Sequence, residues 1–139
     1  MSRLPPTEFR EDDVAVLRIP DTPKSINQVG QRGSWRAVHG EKKRWQDVLE
    51  RYLLMARLPR PLPHFLTVDC LMVFPRLHRR DEGNFKSPLE KALGDALVNG
   101  QWLPDDTPRW WEFQGLRFSE ERGPNTTILT LDYRRESDR

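Results

Sequence analysis

Apolar positions along the chain fall into two patterns, strand-like runs and helical stripes. Val14-Ala-Val-Leu-Arg-Ile19 is a short run that stops at Pro20 and reads as a strand. From Phe65 to Phe74 the alternation is cleaner, with Leu66, Val68, Cys70, Met72 and Phe74 on one side, as expected of a strand with one buried face. Trp110–Phe118 and Thr126–Tyr133 read as two further strands, joined through a polar turn at Ser119–Asn125 that contains Gly123-Pro124.

Helical spacing appears twice. Between Glu41 and Ala56, residues Trp45, Val48, Leu49, Tyr52 and Met55 mark an amphipathic helix with a basic opening, Lys42-Lys43-Arg44. Pro59, Pro61 and Pro63 then form a stiff connection. The second helix is predicted to start at Ser87-Pro88-Leu89-Glu90, a capping box with proline at the first helical position, and to stop at Asn99-Gly100. Its inward stripe is Leu89, Ala92, Leu93, Ala96 and Leu97, while Pro88, Lys91 and Asp95 occupy another face.

The order β-α-β-α-β-β predicts an α+β fold, a small mixed sheet with two main helices packed on it. Residues 1–13 read as a flexible lead-in, 14–133 as the domain and 134–139 as a charged tail. Asp21 to Gly40 carries Pro23, Gly30, Gly33 and Gly40 and is expected to form a long mobile loop. It is either a flexible connection or a phosphate grip, because Lys24, Arg32, Arg36 and Trp35 all fall within it.

Composition narrows the classes. At 139 residues the chain is expected to form one domain, with five tryptophans and six phenylalanines supplying core volume. Net charge is only +2, so any basic binding surface must come from uneven distribution. One cysteine excludes an intramolecular disulfide and a multi-cysteine zinc site. No apolar run reaches membrane-spanning length and the first residues lack a signal-peptide pattern, so a soluble, cytoplasmic protein without membrane partners is expected. GxSxG, Walker A, HExxH and CxxC motifs are missing, which removes support for acyl transfer, NTP hydrolysis and zincin chemistry, and no nucleotide cofactor is expected.

The chemistry concentrates between Arg76 and Asp106. The basic run Arg76-Leu-His-Arg-Arg80 leads into Asp81-Glu-Gly-Asn84, and Asp105-Asp106 follows the second helix. Carboxylates that share a small space need a cation between them, and a basic strip needs a polyanion. Phosphodiester hydrolysis uses both, with Mg²⁺ on Asp and Glu oxygens and a lysine stabilising developing charge. A solvated acidic patch, with Lys91 and Asp95 as a surface ion pair, is the plain alternative. His39, His64 and His78 show no metal-ligand spacing, and His78 lies in the basic strip.

Arg79-Arg80-Asp81-x-x-Asn84, Lys91-x-x-x-Asp95-Ala96-Leu97 and Gly100-x-Trp102-Leu103-x-Asp105-Asp106 together resemble the RusA family of Holliday-junction resolvases. Ile19-Pro20-x-x-Pro23-x-Ser25-x-Asn27 resembles that family's first strand and proline-rich loop, so the likeness spans about residues 14–133. The resemblance implies a homodimeric endodeoxyribonuclease of DNA recombination and repair, often phage-borne, that cuts four-way junctions by paired symmetric nicks. Its cofactor would be Mg²⁺, with Mn²⁺ as a substitute. Asp81 then matches the first catalytic aspartate, Asp106 the essential acid of the double aspartate, Asp105 its neighbour, Asp95 the helix aspartate and Lys91 the lysine. The implied metal ligands are Asp81, Asp105, Asp106 and Asn84. The implied DNA contacts are Lys24, Asn27, Arg32, Arg36, Arg76, His78, Arg79, Arg80 and Lys86. Two departures stand out. Gly83 occupies the second acid's position, and the longer gap before Asp95 leaves Lys86 competing with Lys91 for the lysine role. A branched-DNA-binding dimer with weak or no cleavage is the alternative function.

Overall fold

In the computed structural model, which describes residues 10–11, 13–24 and 35–139, the strands form one mixed sheet in the order β1-β2-β5-β3-β4. These are β1 (Arg10–Glu11), β2 (Val14–Ile19), β3 (Leu66–Val73), β4 (Trp111–Phe118) and β5 (Thr126–Asp132). Among the described residues, two helices, α1 (Trp35–Met55) and α2 (Gly83–Asn99), lie between them in chain order, and a 3-10 turn at Glu136–Asp138 follows β5. The α+β class with two main helices is therefore correct.

Register follows from burial. Leu17 pairs with Leu129, Leu129 with Cys70 and Cys70 with Leu116, so one line of buried side chains crosses the sheet. All five residues expected on the inner side of β3 are buried. They join Trp45, Leu49 and Leu53 of α1 and the whole predicted stripe of α2 in one core. Met55, expected in the α1 stripe, is half-exposed at 49%, and Leu53 takes the inward place. Burial pushes the Cys70 thiol up to about 12, with Arg117 opposing and Asp69 adding to the rise, so this cysteine is a small core residue.

Four sequence expectations need correction. Arg10-Glu11, assigned to the lead-in, pairs with Val14-Ala15 as an edge strand. Residues 35–40, assigned to a loop, are the first turns of α1. α2 starts at Gly83, one turn before the capping box, and encloses Pro88. The cause is Phe85, whose ring lies 5.6 Å from those of both Phe74 and Phe118. Burying that ring draws the preceding turn into the helix. Finally, β4 and β5 are not a hairpin, because β3 lies between them, parallel to β4 and antiparallel to β5. Their connection crosses the end of β3, where the Ser119 and Gly123 amides donate to Met72 and Phe74 carbonyls. Among the described residues no helix is long and apolar enough to cross a membrane.

Candidate active site beside α2

α2 carries the site, and its end fixes where the double aspartate goes. The Trp102 amide donates to the Leu97 carbonyl and the Gln101 amide to Val98, with Gln101 in the left-handed region at φ 67°. This turn sends Asp105-Asp106 back along the helix. Gly94 lets them approach, since a Cβ there would stand 3.3 Å from Asp106 Cβ and 3.2 Å from the Trp111 ring. The Trp111 indole donates to the Asp106 carbonyl at 3.1 Å and fixes the approach from the sheet side.

Lys91 Nζ lies 3.6 Å from Asp95 Oδ1 and 3.9 Å from Asp106 Oδ2. The other Asp95 oxygen faces Lys42 of α1 at 2.6 Å, and both partners are about two-thirds shielded. Asp95 is thus held between two ammonium groups. Lys91, Asp95, Asn99, Asp105, Asp106 and Gln46 line an open polar cleft of about 430 Å³. Behind it the Glu50 carboxylate accepts from Asn99 Nδ2 at 2.9 Å and from Gln46 Nε2 at 3.3 Å. Asp105 is committed to its own loop, accepting from the Thr107 hydroxyl at 2.6 Å and the Thr107 amide at 3.0 Å. Those bonds, with the Trp110 indole and the Arg109 charge, hold its carboxyl below the usual carboxylate value. Asp106 therefore has the least committed carboxylate in the cleft.

Asp81 is elsewhere. Its Oδ1 accepts from the Gly83 amide at 2.9 Å, at the start of α2. Asp106 packs on Gly94, eleven residues further along, which is roughly 16 Å of helix rise. Asn84 stays with Asp81, its amide donating to the Asp81 carbonyl. Among the described residues, no three His, Cys, Asp or Glu side chains converge where they could hold a metal ion. An all-protein cage does not fit this donor set. A Mg²⁺ ion, which keeps its waters and needs only one or two carboxylates, would be held here by Asp106. Lys86 is engaged on the far side of α2, 3.2 Å from Glu90 and 5.5 Å from the Phe113 ring centre. Lys91 is the lysine that reaches the double aspartate.

The basic strip gathers at the other end of α2. Lys24, Arg76, His78 and Arg80 line a concavity of about 290 Å³ together with Thr22 and Asn125. Arg80 acts as its clasp. It stacks 3.7 Å from the Phe74 ring centre and donates to the Arg76 carbonyl at 3.0 Å and the His78 carbonyl at 3.3 Å. Loss of solvation lowers its pKa. Arg76, His78 and Arg79 keep exposed side chains, and Arg36 is exposed on α1. Lys24 is tied by its amide to Glu41 at 2.9 Å, which leaves its side chain exposed. Asn27 and Arg32 lie outside the described residues.

Sequence reasoning missed Lys42 and Gln46, which read only as part of the basic, polar side of α1. The available signal was spacing. Lys42, Gln46 and Glu50 recur every fourth residue on α1, as Asp95 and Asn99 do on α2, and the two rows meet. No family model matches this chain, and no curated protein matches it.

Proposed function

We propose that this chain is a cytoplasmic, structure-selective endodeoxyribonuclease that resolves four-way DNA junctions by paired symmetric nicks. It works as a homodimer with Mg²⁺ or Mn²⁺, in recombination and repair. The observation that carries the reading is Lys91 Nζ suspended between Asp95 and Asp106 in an open polar cleft. Hydrolysis forms a bond from water oxygen to phosphorus and breaks one phosphorus–sugar oxygen bond. The attacking water loses a proton to solvent and the departing oxygen gains one. A bound Mg²⁺ supplies charge neutralisation on the phosphoryl oxygens and a more acidic water. Asp106 would hold that ion, Lys91 would stabilise charge on the phosphoryl group, and Asp95 aims Lys91 while Lys42 steadies Asp95. Arg76, His78 and Arg79 grip the backbone without reading sequence. A twofold dimer suits this substrate because each protomer addresses one of two equivalent strands.

A second reading, a junction-binding dimer that cuts weakly or not at all, draws on two observations. Asp81 is separated from Asp106 along α2, and glycine stands at position 83, where the resemblance implies an acid. Nicking of a synthetic four-way junction, compared with linear duplex in Mg²⁺ and in Mn²⁺, decides between them. The nuclease reading expects junction-selective cuts that vanish in Asp106→Asn while binding persists. Binding without cleavage under either ion leaves the second reading. Failure to bind any DNA removes both.

A further inference from the structure

A second concavity opens beside the polar cleft, between the proline-rich segment before β3 and the loop after α2. It measures about 670 Å³, inside the roughly 300–1,000 Å³ range of small-ligand sites. Its walls include Phe65, Trp110, Leu103 and His64. Phe65 is 39% exposed, so part of its ring is open to the concavity. Two guanidinium groups lie over rings of this wall. Arg109 lies 5.1 Å over the Trp110 ring centre and Arg60 lies 5.2 Å over that of Trp102, which also lines the concavity.

The concavity adjoins the cleft. Val98 lines both, and Pro104 on one side adjoins Asp105-Asp106 on the other. Trp110 spans them, its indole N–H drawn to the Asp105 carboxylate while its ring lines the aromatic side. On the nuclease reading, a ligand reaching from one to the other places a phosphate at Lys91 and Asp106 in the cleft and a flat, apolar group in the concavity, with negative charge near Arg109. A nucleotide has that construction. Aromatic platforms inside cationic rims bind unpaired bases in a sequence-tolerant way, because every base has a π-face.

We propose that this concavity receives an unpaired nucleobase adjoining the phosphate held at Asp106 and Lys91. The proposal rests on the nuclease reading and deepens it. At the exchange point of an open four-way junction a base pair lacks a stacking neighbour on one side, which lowers the cost of moving its base out of the helix. Seating it on Phe65 and Trp110 sets the register of the neighbouring phosphate in the cleft. The pocket thus selects branched over linear DNA, since a continuous duplex offers no such base.

The test uses the full chain in EDTA, so that bound junctions stay intact, with 5-iododeoxyuridine placed in turn at each nucleotide around the exchange point. Irradiation and peptide mapping should locate a crosslink at Phe65 or Trp110 from one position only. Phe65→Ala and Arg109→Ala, both exposed positions, should keep the wild-type melting temperature. Phe65→Ala should lose the crosslink, and each should weaken junction binding about tenfold, with linear duplex unaffected. Crosslinks confined to the Arg76–Arg80 strip, with undiminished junction binding by both variants, overturn the proposal and leave the nuclease reading standing. Loss of poly-glutamate binding in these variants, without loss of junction binding, makes the surface a peptide site and equally overturns it. Failure of the wild-type chain to bind any junction removes the nuclease reading and the proposal together.

Discussion

At the scale of single residues, two glycines in α2 and its exit do different jobs, and neither needs a left-handed backbone. Gly100 has φ −85°, which any residue adopts, yet a Cβ there would stand 2.0 Å from the Trp102 ring. The ring is 1% exposed and anchored through its indole N–H to the Leu58 carbonyl at 3.3 Å, so it has no room to yield. Gly100→Ala should cost about 1–3 kcal/mol of stability, the usual range for overpacking, read as a lower urea midpoint with unchanged slope. Gly94 is a milder case. A methyl there meets Asp106 and Trp111 at 3.2–3.4 Å, so the Asp106 loop must shift by a few tenths of an ångström. On the nuclease reading, the helix gain from Gly94→Ala, about 1 kcal/mol, offsets the crowding and leaves stability within about 1 kcal/mol of wild type, but nicking should slow roughly tenfold, because small displacements of reacting groups are costly. Parallel losses of stability and activity would show that Gly94 serves packing alone.

At the scale of elements, legibility tracked how local the determining contacts were. β2 and β3 were readable almost to the residue because alternation records one buried face, and Val14–Ile19 and Leu66–Val73 each have one. The start of α2 was not. Ser87-Pro88-Leu89-Glu90 has the local chemistry of a cap, but the aromatic trio of Phe74, Phe85 and Phe118 joins three elements and outweighs it. The insertion of β5 between β2 and β3 is likewise non-local. In the site, Lys91 and Asp95 were visible as an i,i+4 pair, whereas Lys42 arrives from another helix and the distance from Asp81 to Asp106 depends on where α2 begins. The same dependence governs the start of α1. Burial raises the pKa of Glu41, but hydrogen bonds from Arg44 and the Lys24 amide outweigh that and hold the carboxyl below its ordinary value of 4.5. A folded value below the unfolded one gives stabilisation that is complete above about pH 4.5 and fades as pH falls below it. Glu41→Gln should therefore lower the urea midpoint most near neutral pH, by under about 1 kcal/mol at this partly exposed group. The gap to wild type should close progressively as pH falls below about 4.5. A gap constant across that range would mean that Glu41 does not tie the Lys24 segment to α1 through its charge.

At the scale of the whole molecule, a net charge of +2 conceals a separation along α2. Cations gather near Asp81 and carboxylates near Gly94, roughly 16 Å apart along the axis. At about 3.4 Å of rise per nucleotide, that offset corresponds to nearly five nucleotides of one strand. On the proposed reading, a strand held at the strip would reach the cleft downstream, the cations giving affinity and the acids a place for chemistry. Within the strip the arginines are unequal. Arg76 and Arg79 are exposed, while Arg80 is spent on Phe74 and on the carbonyls of residues 76 and 78. Arg76→Ala and Arg79→Ala should each leave the melting temperature unchanged and shallow the salt dependence of junction binding by about one unit, the release of one phosphate contact. Arg80→Ala should instead lower the melting temperature, because it unclasps the loop before it alters any contact with DNA. Equal salt slopes for wild type, Arg76→Ala and Arg79→Ala would remove the strip from the interface, and the anion-binding surface would then have to be sought at Lys42 and Lys91.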